Sequence, residues 1–192
     1  MPDSLSSIEP VGRFPTTNRE FLEGLFGDQW PRVHVCAIPG NPADPRYKGY
    51  WRGGVALDAL GACTLATNNY YCVGLFDGPR QLVNFRALVV LGIDDVGPKL
   101  DPARVRSLLG PPSYRLETSP ANEQWGYVID PPLEHGDGAA EFQHRVRVLL
   151  TGHDVRDPGM EGLNRYLRLP FGTNGKPGYP PGTRTRLWGW DA

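Results

Sequence analysis

The sequence predicts an α+β fold, with an N-terminal α/β subdomain followed by a half of the ferredoxin type in the order β-α-β-β-α-β. Residues 87–93 form an aliphatic run rich in β-branched side chains, which is typical of a central strand buried on both faces. A helix is predicted to start at Asp101, and two strand patterns follow it. A second helix is predicted to start near Asp137, and one short strand pattern follows it. The 24 glycines and 20 prolines among 192 residues indicate many turns, although their share stays below that of low-complexity chains.

Helical and extended patterns alternate in the N-terminal half. Thr17 and Glu20 have capping-box spacing, and the apolar residues that follow share one helical face, which predicts a short amphipathic helix. Residues 33–38 and 70–76 have the composition of strands. The Pro- and Gly-rich stretch 39–54 between them is predicted to be a loop.

The C-terminal half supplies the other elements. Asp101 can cap a helix that ends at Gly110, and Asp137 can cap a second helix with an apolar stripe. Strands are predicted at residues 114–118, 124–129 and 165–169. The turn at residues 119–123 makes the first two of these strands a hairpin.

The predicted topology brings distant segments together. We expect the usual sheet order of this fold, strand four, one, three, two. The end of the first strand, with Asp94 and Asp95, then lies beside the hairpin turn 119–123 and beside residues 157–165, which enter the last strand. Three segments therefore meet at one sheet edge.

Composition excludes several classes of protein. The 20 basic and 21 acidic side chains nearly cancel, which excludes a polycation that holds nucleic acid by charge alone. The three cysteines have no C-x-x-C spacing, so neither a disulfide framework nor a Cys-rich zinc site is indicated. The longest apolar run, residues 87–91, is far shorter than the roughly 18 residues that span a bilayer. We therefore expect a soluble cytoplasmic protein with no membrane partner.

The acidic pair is the first candidate for chemistry. Adjacent carboxylates that end a buried strand repel each other unless a cation neutralises them. Mg²⁺ or Mn²⁺ suits carboxylate oxygens, and Asp157 could complete a site for two ions. In the alternative interpretation, Asp94 only ends the strand and Asp95 caps the following turn.

Neutral and basic side chains are expected at the same edge. Candidate contacts for a nucleotide's phosphates or sugar are Ser119, Asn122, Gln124, Arg165, Arg168 and Lys176. Trp125, Tyr127 or Tyr70 could stack on bases, with a place in the core as the alternative. Ordinary turn residues and an edge strand kept soluble by arginines would explain the polar residues equally well.

These segments resemble the archaeo-eukaryotic primase superfamily, in particular its phage and plasmid replication branch, which includes phage primase-polymerases (PrimPol type) and RepB-like plasmid primases. The resemblance covers roughly residues 16–190. Its motifs are IDDVG at 93–97, ETSPANEQWGY at 117–127, and DPGM at 157–160 with RYLRLPFGTNGK at 165–176. In relatives the first motif is often Asp-x-Asp and the second often Ser-x-His, whereas this chain has Asp-Asp and no histidine.

The resemblance implies one primase catalytic core. Its parts would be a flexible leader at 1–15 and a core at 16–192, divided into an N-terminal α/β subdomain at 16–84 and an RRM-like subdomain with the metal site at 85–192. Asp94, Asp95 and Asp157 are then the catalytic carboxylates that hold two Mg²⁺ or Mn²⁺ ions, with Asp154 as a competitor for the third place.

The implied activity is nucleotidyl transfer by a DNA primase or DNA-directed polymerase. The implied partners are a single-stranded DNA template, a primer strand and (d)NTPs, with a helicase or a C-terminal priming domain in a longer parent chain. Lys99 and His153 are further candidates for the nucleotide site, with a solvated surface lysine and an idle loop histidine as the alternatives. If a phage encodes the chain, its location is the host cell cytoplasm.

The competing hypothesis is a non-catalytic RRM-like module that binds single-stranded nucleic acid. Such a module would present surface aromatic residues on its central strands. Residues 88–93 are instead almost wholly aliphatic and are followed by two acids that repel phosphate in the absence of a metal. The sequence therefore favours the enzyme.

Overall fold

The computed structural model of the chain describes residues 13–152 and 161–192. The helices are α1 (Asn18–Phe26), α2 (Ala56–Ala59), α3 (Pro102–Leu109) and α4 (Gly136–Thr151). The strands are β1 (His34–Ile38), β2 (Gly54–Val55), β3 (Asn68–Cys72), β4 (Gly74–Phe76), β5 (Phe85–Val96), β6 (Tyr114–Ser119), β7 (Asn122–Leu133), β8 (Tyr166–Arg168) and β9 (Arg186–Trp190). Among the described helices, none has the length and apolar character needed to cross a bilayer.

The first sheet has the order β2-β1-β3-β8, and all its pairings are antiparallel. Helix α1 begins as predicted, because the Thr17 hydroxyl accepts a hydrogen bond from the Glu20 backbone N–H. The ring of Phe21 on α1 packs edge-on against Tyr71 of β3 and Tyr114 of β6. The two tyrosine hydroxyls share a buried hydrogen bond of 2.7 Å, so the main core joins α1 to both sheets.

The second sheet has the order β4-β5-β7-β6-β9 and is also antiparallel. The predicted hairpin is present as β6 and β7, and β7 pairs with β5. Asp101 caps α3 by accepting a hydrogen bond from the Ala103 N–H, as predicted. Helices α3 and α4 bury Val105 and Val146 against Ile93 and Trp125 in a second apolar cluster. The mixed α+β class is therefore confirmed.

The predicted place of the last strand is wrong. Strand β8 pairs with β3 in the first sheet, and β4 occupies the position beside β5 that was expected for it. The cause is a switch at Val73, whose N–H donates to Arg165 O while its carbonyl accepts from Val89 and Val90. The predicted single strand 70–76 is thereby divided between the two sheets.

Smaller differences have local causes. Asp137 lies in the first turn of α4 and does not cap it, because His135 holds the N-cap position without a side-chain bond. The predicted loop 39–54 contains a 3₁₀ helix, Pro45–Arg52, which Asp44 caps. Strand β9 closes the edge of the second sheet and was not predicted.

Candidate active site

Asp94 and Asp95 occupy an irregular point near the end of β5. Ile93 pairs with Trp125 and Val96 pairs with Glu123, so two residues of β5 lie opposite one residue of β7. This is a β-bulge. Asp95 has a φ of 56°, in the left-handed region that few non-glycine residues adopt. Successive side chains of a regular strand point to opposite faces, whereas here both aspartates line the same cavity.

The hairpin turn lies against the aspartates, as predicted. Asn122 Nδ2 donates to Asp95 Oδ1 at 2.9 Å. Gly97, with a φ of 109°, packs so closely on the turn that an added Cβ would lie 2.4 Å from Ala121 O. Only a glycine at this position allows the two segments to approach so closely.

Each aspartate also has a cationic partner. Arg165, the last residue of the predicted segment 157–165, donates to Asp94 Oδ2 at 3.2 Å and thus lies at this edge. Lys99 Nζ lies 2.6 Å from Asp95 Oδ2. Burial alone would raise the pKa of Asp95, but hydrogen bonds from Lys99 and Asn122 outweigh burial and hold it below its usual value.

One cavity of about 340 Å³ collects most of the predicted site residues. It is lined by Asp94, Asp95, Ser119, Asn122, Gln124, Arg168 and Lys176. Lys99 and Arg165 contact the aspartates but do not line this cavity. The acidic pair, Arg168 and Lys176 thus line the same cavity.

Arg168 is the buried cation of this cavity, with 5% of its surface exposed. Its guanidinium donates to Asn174 Oδ1 at 3.0 Å and to Thr173 O at 3.1 Å, and it lies 4.9 Å from the ring centre of Tyr70. All these partners are neutral, and no carboxylate of the described residues forms an ion pair with Arg168. A buried guanidinium with neutral partners is suited to bind a phosphate.

Gln124 is 2% exposed and joins the two sheets. Its Oε1 accepts from the backbone N–H of Arg168 at 2.8 Å, and its Nε2 donates to the Arg168 carbonyl at 3.2 Å. Nε2 also donates to the Tyr114 hydroxyl at 3.0 Å. Because both amide hydrogens are committed, the geometry assigns Gln124 to positioning Arg168.

Aromatic rings form part of the wall of this cavity. Trp51 lies 4.8 Å from Tyr70 and 6.0 Å from Tyr166, measured between ring centres. Trp51, Tyr166, Tyr179 and Asn174 line the cavity and were missing from the predicted site. Trp51 lies in the 3₁₀ segment that was predicted to be a loop. Its aromatic neighbours Tyr47 and Tyr50 were the feature of the sequence that could have indicated an aromatic surface there.

The predicted stacking residues separate into two groups. Tyr70 lines the cavity. Trp125 belongs to the second apolar cluster and donates to Glu123, while Tyr127 packs against that cluster and donates to Gly110 O. For Trp125 and Tyr127 the alternative interpretation, a place in the core, therefore holds.

Of the predicted metal ligands, Asp94 and Asp95 lie within the described residues. Asp157, its competitor Asp154 and His153 lie outside the described residues. Within residues 13–152 and 161–192, no group of three His, Cys, Asp or Glu side chains could hold a metal ion. The donor set that is present, two carboxylates in one cavity, fits a Mg²⁺ ion that keeps water ligands and shares substrate phosphates.

Comparison with known proteins identifies the fold. No protein-family model and no curated protein matches the sequence. Among solved structures, the AEP (archaeo-eukaryotic primase) domain of the cyanophage S-2L primase-polymerase (PrimPol) matches with a TM-score of 0.63 and 19% sequence identity. The match covers 90% of this chain and 88% of that one. The chain therefore has the fold of this primase-polymerase domain, and the resemblance predicted from its motifs is confirmed at the level of the fold.

Proposed function

We propose that the protein is a nucleotidyltransferase of the primase-polymerase type, which extends a primer on a single-stranded DNA template. One observation carries this proposal. A single cavity is lined by two carboxylates from β5 and by Arg168, a buried arginine whose partners among the described residues are all neutral. Carboxylates suit a divalent cation and the arginine suits phosphate, and both are needed to bind a nucleoside triphosphate with its metal.

Each part of the cavity has a role in this proposal. Asp94 and Asp95, with Asp157, would hold Mg²⁺ or Mn²⁺. Bound there, two such ions would lower the pKa of a primer 3′-hydroxyl and neutralise charge on the transferring phosphate. Arg168 and Lys176 would bind the triphosphate.

The neutral side chains would orient the nucleotide. Ser119 and Asn122, which line the cavity at the hairpin turn, would donate hydrogen bonds to phosphate or sugar oxygens. The rings of Trp51 and Tyr70 offer a surface on which a base can stack. Arg165 and Lys99 now pair with Asp94 and Asp95, so we expect them to balance the acidic charge when metal is absent.

The wider setting follows from the same resemblance. The matching structure belongs to a cyanophage primase-polymerase, which supports replication of phage or plasmid DNA as the process. The division into subdomains at residue 85, the location in the cytoplasm and a helicase or priming domain in a longer parent chain remain part of this proposal.

Primer extension tests the proposal directly. The assay contains a labelled primer on a single-stranded template, dNTPs or NTPs, and either Mg²⁺ or Mn²⁺. We expect extension by the wild type and a loss of roughly 100-fold or more in the double variant Asp94→Asn/Asp95→Asn, because the metal ligands lose their charge. Asp137→Asn, at an exposed acid in the first turn of α4, is the matched control and should retain full activity.

The pairing of both aspartates with cations specifically favours the competing function, a non-catalytic module that binds single strands. Thermal unfolding with and without Mn²⁺ separates the two. The enzyme predicts that Mn²⁺ raises the melting temperature of the wild type and of Asp137→Asn but not of the double variant. No Mn²⁺ effect, together with no extension under either metal, would contradict the enzyme and support the binding module.

A further inference from the structure

A second groove lies behind the aromatic wall of the catalytic cavity. It has a volume of about 650 Å³ and its lining includes His34, Lys48, Trp51, Arg52 and Arg80. These five residues define the basic groove. No acidic side chain of the described residues lines it. The groove is therefore a region of positive charge on a chain whose total charge is close to zero.

Among the described residues, no carboxylate neutralises the charges of the basic groove. Lys48 and Arg52 are exposed, and neither forms an ion pair with a carboxylate of the described residues. Arg80 is fixed in place: its guanidinium donates to the carbonyls of Trp51 and Asn164 and lies 4.0 Å from the ring centre of Tyr166. A fixed guanidinium beside two exposed cations favours the binding of an anion such as phosphate.

Two buried nitrogen atoms of groove-lining residues have no hydrogen-bond partner among the described residues. His34 is 5% exposed, and its Nδ1 makes no hydrogen bond. Nε of Arg80 is likewise buried and unpaired. Buried polar atoms are usually satisfied, and exceptions call for a ligand or an ordered water.

The position of the groove favours the phosphates of a nucleic acid strand over those of a free nucleotide. Trp51 lines both the basic groove and the catalytic cavity. Tyr166 lines the cavity while Arg80 stacks on its ring from the groove side. Two sites that share one aromatic wall can be occupied together by consecutive nucleotides of one strand. A free nucleotide would leave one of the two empty.

We propose that the basic groove binds the phosphate backbone of a nucleic acid strand whose neighbouring nucleotides reach the catalytic cavity. The assignment of the strand to that cavity rests on the proposed function, whereas phosphate binding in the groove does not. The shared chemistry is the phosphate group, and its alternative source is a free nucleotide or inorganic phosphate. The experiment therefore needs an arm for each source.

The strand is tested by fluorescence anisotropy of a labelled single-stranded oligodeoxynucleotide, in EDTA and without nucleotide, over a salt range of about 50–200 mM. The variant Lys48→Ala/Arg52→Ala changes two exposed side chains, so it should fold. We expect binding that is weaker by roughly tenfold or more, and a log K against log salt slope shallower by about 1.4, roughly 0.7 for each lost phosphate contact.

The control removes two other exposed cations, in the variant Arg19→Ala/Arg145→Ala, which lies outside both the groove and the cavity. Its affinity and salt slope should equal those of the wild type. Equal slopes for both double variants would overturn the proposal.

The second source is tested by thermal unfolding with ATP or inorganic phosphate. If Lys48→Ala/Arg52→Ala loses stabilisation by these ligands but binds the oligonucleotide like the wild type, the groove is a site for free phosphate and the proposal is wrong. Because the anisotropy assay involves no catalysis, a wild type that fails to extend primers contradicts the proposed function alone. If the wild type extends primers normally but both double variants have the same salt slope, only the proposal for the basic groove is contradicted.

Discussion

Arg168 and Lys176 line the cavity together with the acidic pair, and they are held very differently. Arg168 is buried, and neutral oxygens and a tyrosine ring fix its guanidinium. Lys176 is exposed, and its charge adds to the larger effects of Lys99 and Asn122 that lower the pKa of Asp95. Removing Arg168 would leave several buried polar groups unpaired, whereas Lys176 can be truncated without disturbing the fold. Lys176 is therefore the residue at which triphosphate binding can be tested separately from stability.

We predict that Lys176→Ala raises KM for the nucleoside triphosphate by about fivefold, equivalent to about 1 kcal/mol of lost interaction, with a smaller change in kcat. A contact made equally to bound substrate and transition state affects KM in this way. Steady-state primer extension measures both constants. Arg19→Ala, at an exposed arginine on α1, should leave both unchanged. An unchanged KM in Lys176→Ala would remove this lysine from the nucleotide site.

Gln124 provides a prediction about stability. Gln124→Leu leaves the backbone N–H and carbonyl of Arg168 without their side-chain partner, and we expect a loss of about 3 kcal/mol in the free energy of unfolding. Gln143→Leu is the matched control: Gln143 is also buried, but within the described part of the chain its side chain makes one hydrogen bond, accepted from the Gly162 N–H. Its cost should be about 1 kcal/mol. Urea unfolding measures both variants, and equal losses would contradict the proposed link between the sheets.

At the scale of elements, the bulge in β5 explains how adjacent aspartates serve one cavity. Asp-x-Asp in a regular strand aims both carboxylates to one face, because side chains alternate with a period of two. Asp-Asp in a regular strand would aim them to opposite faces. The bulge adds one residue between Ile93 and Val96, and Asp95 has a positive φ. Together these features allow adjacent aspartates to line one cavity, as Asp-x-Asp would in a regular strand. The strain of such a backbone, about 1–3 kcal/mol, is typical of functional sites.

The contact between the bulge and the hairpin turn can be tested at Gly97. Alanine at position 97 would be strained at a φ of 109°, and its Cβ would clash with Ala121 O. Gly110 also has a positive φ, of 80°, but no atom lies within 4 Å of an added Cβ. We predict that Gly97→Ala costs about 1–2 kcal/mol more unfolding free energy than Gly110→Ala, and that only Gly97→Ala slows primer extension.

Urea unfolding and extension rates of the two alanine variants give the comparison. A displaced turn would move Asn122 away from Asp95, which is why activity should fall together with stability. Equal costs would show that the turn does not depend on this contact.

The elements also show what a sequence can predict. Helix caps at Thr17 and Asp101 and the hairpin after Tyr114 were predictable, because local side chains determine them. The approach of Asp95 to the turn followed from the pairing of β5 with β7. The partner of β8 was not predictable, because a three-residue strand has the same pattern in either sheet. The division at Val73 was hidden in a continuous run of apolar and aromatic residues.

The site was likewise only partly predictable. Its acidic and basic residues carry chemistry in their side chains and could be identified one by one. Trp51 and Tyr166 reach the cavity through a 3₁₀ segment and through the pairing of β8 with β3, and both depend on tertiary structure. The positioning role of Gln124 required the bonds that it makes across the two sheets.

For the molecule as a whole, the two sheets are joined by hydrogen bonds as well as by a common apolar core. The segment of β3 and β4 runs from one sheet into the other, and Val73 makes backbone hydrogen bonds in both directions. Strand β8 follows α4 in the chain but pairs in the first sheet, and Gln124 of β7 bonds to it from the second. Opening one sheet therefore exposes polar backbone groups of the other, so we expect a single cooperative unit.

Hydrogen exchange tests this cooperativity. We predict that the most protected amides of β1 and β5 exchange with the same opening free energy and the same dependence on urea, both matching global unfolding by fluorescence. Gln124→Leu should lower both opening energies by the same amount, because its bonds belong to both sheets. If β1 opened at a free energy well below that of β5, the sheets would be independent units. The cavity between the aspartates of β5 and Arg168 of β8 would then open and close with the first sheet, and nucleotide binding would raise the protection of β1 alone.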